Sequence, residues 1–131
     1  MDCSRCETET VLFAAGEYAA TLPGETPTVG LCPRCLKLDP GDGLDRPEWA
    51  APPFERISPR FPTGEAAVPF ALLAGLIENL ALYRMEITEL LEATERAGVD
   101  PLSALGRLDR EPTVEPETDL SRRREQLEQL L

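Results

Sequence analysis

The spacing of apolar residues changes character along the chain, and each change marks an expected element. Thr8-Glu9-Thr10-Val11-Leu12-Phe13 alternates polar and apolar positions before a β-branched and aromatic end, which predicts a short strand. Gly16 permits a turn, and Tyr18-Ala19-Ala20-Thr21-Leu22 predicts a returning strand. Beyond the turn signal Pro23-Gly24, Thr28-Val29-Gly30-Leu31 predicts a further extended stretch. Residues 39–65 then lose all period. Pro40, Pro47, Pro52, Pro53, Pro59 and Pro62 stop any helix, and Gly41, Gly43 and Gly64 add turns. Trp49, Phe54, Ile57 and Phe61 lie within this stretch, so it reads as a strap laid across the helices, or as a docking patch, rather than a loose tether.

From Val68 to Ala97 the period is helical, and Gly98 ends it. Leu73, Leu76, Leu80, Tyr83, Ile87, Leu90 and Thr94 step by alternating threes and fours, a heptad seam. The first half is apolar nearly all round, with Leu72, Ala74, Ile77, Ala81 and Leu82 off the seam. The second half carries Glu86, Glu89, Glu92 and Arg96 on its outer face. A straight helix of this length would run about 42 Å, against roughly 36 Å for the diameter of a compact chain of this size. Either it kinks near Asn79 or a second copy covers the overhang. A homodimer through Leu73, Leu76, Leu80, Tyr83, Ile87 and Leu90 is the leading partner expectation.

Asp100-Pro101 pairs an N-cap with proline at the first helical position. Leu102, Leu105 and Leu108 give the short helix that follows one apolar edge, and Pro112 and Pro116 mark a loop over residues 111–118. Thr118 or Asp119 caps a last helix with apolar Leu120, Leu127, Leu130 and Leu131. The expected fold class is α+β. It comprises a small antiparallel zinc ribbon over residues 1–38, a proline-rich connecting strap over 39–65, and a helical domain over 66–131. That last part is a three-helix unit led by one long helix.

The chemistry is concentrated in two couplets, Cys3-Ser4-Arg5-Cys6 and Cys32-Pro33-Arg34-Cys35. Two C-x-x-C turns separated by about 25 residues match the ligand spacing of a four-thiolate zinc site. Cys3, Cys6, Cys32 and Cys35 are therefore the expected ligands of one structural zinc. A saturated site of this kind leaves no open position for a substrate. A redox C-x-x-C is the weaker reading, because one couplet would suffice and no βαβ context surrounds it. Glycine often follows the second cysteine of such turns, where the backbone takes a left-handed conformation; this chain has Glu7 and Leu36 there, which predicts less regular turns.

Composition narrows the function classes. The chain has 131 residues, a formal net charge of −11 and no histidine. Lacking histidine, it lacks the commonest general base and any mixed Cys/His site. No glycine-rich phosphate loop or nucleophile motif appears, and an enzyme is not expected. Twelve arginines stand against the single lysine Lys37. An acidic, lysine-poor surface suits concentrated salt, where the screening length falls to about 3 Å and carboxylate repulsion costs little. Free cysteines without a signal peptide point to a reducing cytoplasm. The most apolar run, Ala66 to Ile77, is too short to span a membrane.

Arg122-Arg123-Arg124 is the one basic cluster, and its members point three ways around a helix. Arg124 with Glu128, and Arg122 with Asp119 or Glu125, are spaced for solvated ion pairs. Arg5, Arg34 and Lys37 converge beside the cysteines, which leaves a nucleic-acid-associated accessory role as the alternative, although the net charge disfavours it. The leading expectation is a non-enzymatic, zinc-stabilised scaffold or interaction module of a halophile.

The paired couplets ending in Leu31-Cys32-Pro33-Arg34-Cys35-Leu36, the acidic proline-rich middle, and Phe70-Ala71-Leu72-Leu73-Ala74-Gly75-Leu76 form a recognisable set. Glu95-Arg96-Ala97-Gly98-Val99-Asp100-Pro101 and the closing Arg122-Arg123-Arg124-Glu125-Gln126-Leu127-Glu128-Gln129-Leu130-Leu131 complete it. Together these resemble a family of small uncharacterised haloarchaeal proteins over nearly the whole length. The resemblance implies a cytoplasmic halophilic protein with zinc-ribbon-type cysteines, and it implies no activity.

Overall fold

In the computed structural model, which describes residues 1–22, 27–41 and 52–130, a three-stranded antiparallel sheet is covered by helices. Strand β1 is Val11–Ala14, β2 is Thr28–Leu31 and β3 is Leu38–Pro40, with β2 in the centre. Val11 lies opposite Leu31 and Ala14 opposite Thr28, while Leu31 faces Leu38 on the other side. Along β1 the burial alternates as the sequence does, with Val11 and Phe13 turned fully inward. The central β2 is buried along its whole length.

The returning strand expected at Tyr18–Leu22 is instead a 3-10 helix, Gly16–Thr21. Gly16 takes φ +60°, which turns the chain out of β1 at a position where a side chain would be strained. The Thr21 hydroxyl donates to the Tyr18 carbonyl at 2.6 Å, closing the turn locally. With Ala19-Ala20 at its centre the segment has little β preference, and β2 takes the place beside β1.

Four α-helices follow: α1 Ala67–Leu76, α2 Arg84–Arg96, α3 Pro101–Asp109 and α4 Leu120–Glu128. The single long helix expected over Val68–Ala97 is thus two. After α1 the chain tightens into a 3-10 turn at Ile77–Asn79, and the Asn79 carbonyl accepts from both Leu82 and Tyr83 N–H. The polar pair Glu78-Asn79 interrupts the apolar run here, and breaking the helix lets α1 bury all its faces, between the sheet and α2. Leu73, Leu76, Leu80, Ile87 and Leu90 are all buried within this one chain, with Tyr83 packed at the edge. The heptad seam therefore faces the chain's own core. The overhang that called for a second copy is gone.

The strap is partly described. Phe54, Ile57 and Phe61 are buried, and Phe13, Phe54, Phe61 and Phe70 form a continuous row of edge-on and stacked rings with centroids 4.8–5.3 Å apart. This row joins β1, the strap and α1. Trp49 lies outside the described residues. One apolar cluster runs from Val11 in the sheet to Leu127 in α4, so ribbon, strap and helices share a core.

Asp100 caps α3 as its sequence predicts, accepting from Leu102 N–H, with Pro101 at the first position. Asp119, rather than Thr118, caps α4. The arginine triplet behaves differently from expectation. Arg122 contributes its backbone N–H to that cap, and neither Arg122 nor Arg124 forms a side-chain ion pair among the described residues. The Arg124 guanidinium lies over Gly106 instead, where α3 and α4 pack.

Helix α1 approaches the sheet at Gly75. A methyl group there would stand 2.8 Å from Leu38 Cβ and 3.3 Å from Leu31 Cδ1. Gly75→Ala gains about 1 kcal/mol of helix propensity, but overpacking costs typically 1–3 kcal/mol. The variant is expected to unfold at lower urea concentration than the parent, and an unchanged or raised midpoint would show that the interface yields freely.

Candidate metal centre

Both cysteine couplets sit in tight hairpin turns. The first, Cys3–Thr8, is closed by a bridge between Asp2 and Glu9, and the second joins β2 to β3. The two turns share one hydrogen-bond plan. Cys3 N–H donates to the Thr8 carbonyl at 2.8 Å and Cys32 N–H to the Lys37 carbonyl at 2.9 Å. Glu7 N–H returns to the Cys3 carbonyl and Leu36 N–H to the Cys32 carbonyl. Each turn needs a left-handed residue after its second cysteine, and Glu7 and Leu36 adopt φ +61° and +62°. The turns are therefore regular despite lacking glycine, and side chains carry the strain.

These turns bring all four sulfurs within 4.8 Å of one another, and no disulfide links them. Cys6 Sγ lies 3.2 Å from Cys32 Sγ and 3.8 Å from Cys35 Sγ, and Cys3 Sγ lies 3.6 Å from Cys35 Sγ. A tetrahedron with metal–sulfur bonds of about 2.3 Å has edges of about 3.8 Å. The spacing fits a four-coordinate ion. Cys3, Cys32 and Cys35 are buried, and Cys6 is half-exposed. Backbone N–H groups of Arg5, Arg34 and Cys35 each point at a sulfur at 3.4 Å, as donors to thiolate do.

The thiols are unequal by themselves. The Thr8 hydroxyl, its backbone and the neighbouring Cys32 stabilise the Cys6 thiolate and bring that thiol down to about 6. Burial pushes Cys32 and Cys35 up. Four thiolates this close repel one another, and a divalent cation is what allows all of them to ionise together.

The cations beside the four sulfurs are all engaged by carboxylates of the chain. Arg5 lies between Glu78, at 3.2 Å, and Glu117, at 3.0 Å, and the Glu78 carboxylate raises its pKa further above the ordinary arginine value. Arg34, at the equivalent position of the second turn, pairs with Glu115 at 3.0 Å. The Arg34 carbonyl also accepts from Glu115 N–H at 2.6 Å. Thus one arginine from each turn holds the loop between α3 and α4. Lys37 donates to Asp39 at 2.6 Å, and Ser4 adds its N–H and hydroxyl to the same carboxylate at 3.0 and 2.9 Å. Arg5, Arg34 and Lys37, the cations on which the alternative nucleic-acid reading rested, are each paired with a carboxylate of this chain. The residues that anchor the site but that the sequence did not single out are Asp39, Glu78, Glu115 and Glu117. Most of their partners lie far off in sequence, as Glu115 does from Arg34, 81 residues away, so no local pattern marks them.

A family model described as a family of unknown function, DUF6276, matches residues 2–131. The chain belongs to DUF6276. No curated protein and no solved structure matches the chain. Among the described residues of this DUF6276 member, no helix is long and apolar enough to cross a membrane.

Two measurements probe the turns. Glu7 is exposed, so Glu7→Gly removes a left-handed Cβ worth about 1–2 kcal/mol and gives back about 0.4–1 kcal/mol through the unfolded chain. A higher melting temperature is expected for Glu7→Gly and not for Glu7→Ala; equal temperatures would mean the turn is unstrained. Burial alone would raise the Asp39 carboxyl, but Lys37 and Ser4 outweigh it and hold the group below the usual carboxylate range. Its contribution is present above the unfolded value of about 4 and is lost as pH falls through the folded value. Asp39→Asn should therefore lose less stability than the parent between about pH 5 and pH 3, as read by urea titrations at each pH.

Proposed function

We propose that this protein is a non-catalytic interaction module whose amino-terminal ribbon is fastened by one structural zinc ion. The observation that carries the reading is the closed set of four sulfurs, all within 4.8 Å, supplied by two matching turns. Zinc fits because it accepts four thiolates in a tetrahedron and has no redox chemistry of its own. A closed cage offers no coordination position to a substrate, which supports a fold-holding ion over a catalytic one. The small sheet cannot bury enough apolar area by itself, so metal binding would supply folding energy there. The acidic composition supports a protein adapted to concentrated salt, and the free thiols support a reducing, cytoplasmic setting.

Two other readings are weaker on specific grounds. A thiol redox couple would pair sulfurs within a couplet, whereas Cys6 has Cys32 of the other couplet at 3.2 Å. Nucleic-acid binding would need unpaired cations beside the sulfurs, whereas Arg5, Arg34 and Lys37 are committed to carboxylates.

Native mass spectrometry of protein purified under reducing conditions is expected to show one zinc per chain. Cys32→Ser should lose the metal and lower the thermal midpoint. A folded, metal-free chain bearing a disulfide would refute the reading, and so would stoichiometric iron.

A further inference from the structure

Among the described residues, most large apolar side chains are inside the protein, with two marked exceptions. Leu82, in the connection that breaks α1 from α2, and Met85, in the first turn of α2, are 71% and 76% exposed. Beside this connection is a groove of about 330 Å³. Leu80, Ala81 and Arg84 line one side, and Arg123, Gln126 and Leu130 of the α4 region line the other. Among the described residues that line it, the charged ones are both arginines, on a chain whose net charge is −11.

The two cations are placed differently from those beside the sulfurs. Arg123 is held in position by neutral acceptors alone: Thr118 Oγ1 at 3.1 Å, Gln126 Oε1 at 2.8 Å and the Glu78 carbonyl at 3.2 Å. These fix the guanidinium without cancelling its charge. Arg84 makes no ion pair among the described residues. It also opens α2, where the helix dipole disfavours a cation and no side chain caps the first turn. A carboxylate arriving from outside would pair with Arg84 and accept from those free N–H groups together.

We infer that this groove docks an acidic amphipathic segment of another protein, its carboxylates on Arg84 and Arg123 and its apolar side chains on Ala81 and Leu130, reaching past the groove to the exposed Leu82 and Met85 that follow Ala81 and Arg84 in the chain. Charge complementarity selects this occupant over a second copy of the chain. A two-fold contact on the same patch would bring Arg84 towards its own equivalent, and two exposed side chains offer far less than the roughly 800 Å² per partner of a stable dimer. The inference rests on the interaction reading above, and it names the partner's chemistry; it does not depend on the metal.

The test uses two fluorescent helical peptides with the same leucine and methionine face, one with glutamates on its flanks and one with lysines. Anisotropy is read at the lowest ionic strength that keeps the full chain folded. The acidic peptide is expected to bind at least roughly tenfold more tightly than the basic one. The exposed double variant Leu82→Ser/Met85→Ser should weaken it by a similar factor, and Arg84→Glu should remove the preference for acid. Equal binding of both peptides, or affinity indifferent to these variants, would overturn the inference. So would light scattering that shows the parent dimeric and Leu82→Ser/Met85→Ser monomeric. Zinc content measured on the same samples separates the two ideas: one zinc per chain without peptide discrimination sinks only the docking surface.

Discussion

The convergence of four sulfurs is the constraint from which the rest of this structure follows. Two turns far apart in sequence must present their cysteines to one point, and that requirement fixes how the first hairpin sits on the β2–β3 hairpin. It also fixes the backbone. The residues after the second cysteines take a left-handed conformation although neither is glycine, so the local cost is outweighed by what the turns hold. The matching hydrogen bonds of the two turns show one solution used twice.

Electrostatics extend the same constraint outward. Each cysteine turn provides an arginine at the same position, just before its second cysteine. Those arginines then attract the acidic loop between α3 and α4, through Glu115 and Glu117, and the end of α1, through Glu78. Pairs at this degree of exposure contribute modestly one by one. Their value lies in registration: they set where the helical half lands on the sulfur-bearing half, while the apolar cluster from Val11 to Leu127 supplies the bulk of the attraction. The basic residues beside the four sulfurs are tied into the fold by these pairs.

The second organising feature is the break between α1 and α2. A helix apolar on every side cannot remain half-exposed, and the chain resolves this by folding back at Ile77–Tyr83. That return leaves Leu82 in the connection, and Arg84 and Met85 at the start of α2, on the outside. The exposed patch is thus a by-product of burying α1, and it is the part of the surface where apolar and basic character coincide.

The sequence alone determined which four cysteines come together, the α+β order, the capped start of α3 at Asp100-Pro101, and the inward role of Phe54, Ile57 and Phe61. Each of these rests on a local rule: the spacing of thiols, the period of a helix, the stereochemistry of proline, the cost of leaving aromatic rings in water. Only the tertiary structure decided which segments pair, because Leu38–Pro40 has no stronger local strand preference than Tyr18–Leu22 and still pairs with β2. It also decided that the Leu73–Leu90 seam closes on its own chain. The heptad period records which residues are buried, and burial against the chain itself or against a copy leaves the same period. The carboxylates that answer Arg5 and Arg34 belong to the same class, since an ion pair depends on distance in space, and distance between Arg34 and Glu115 exists only once the chain has folded.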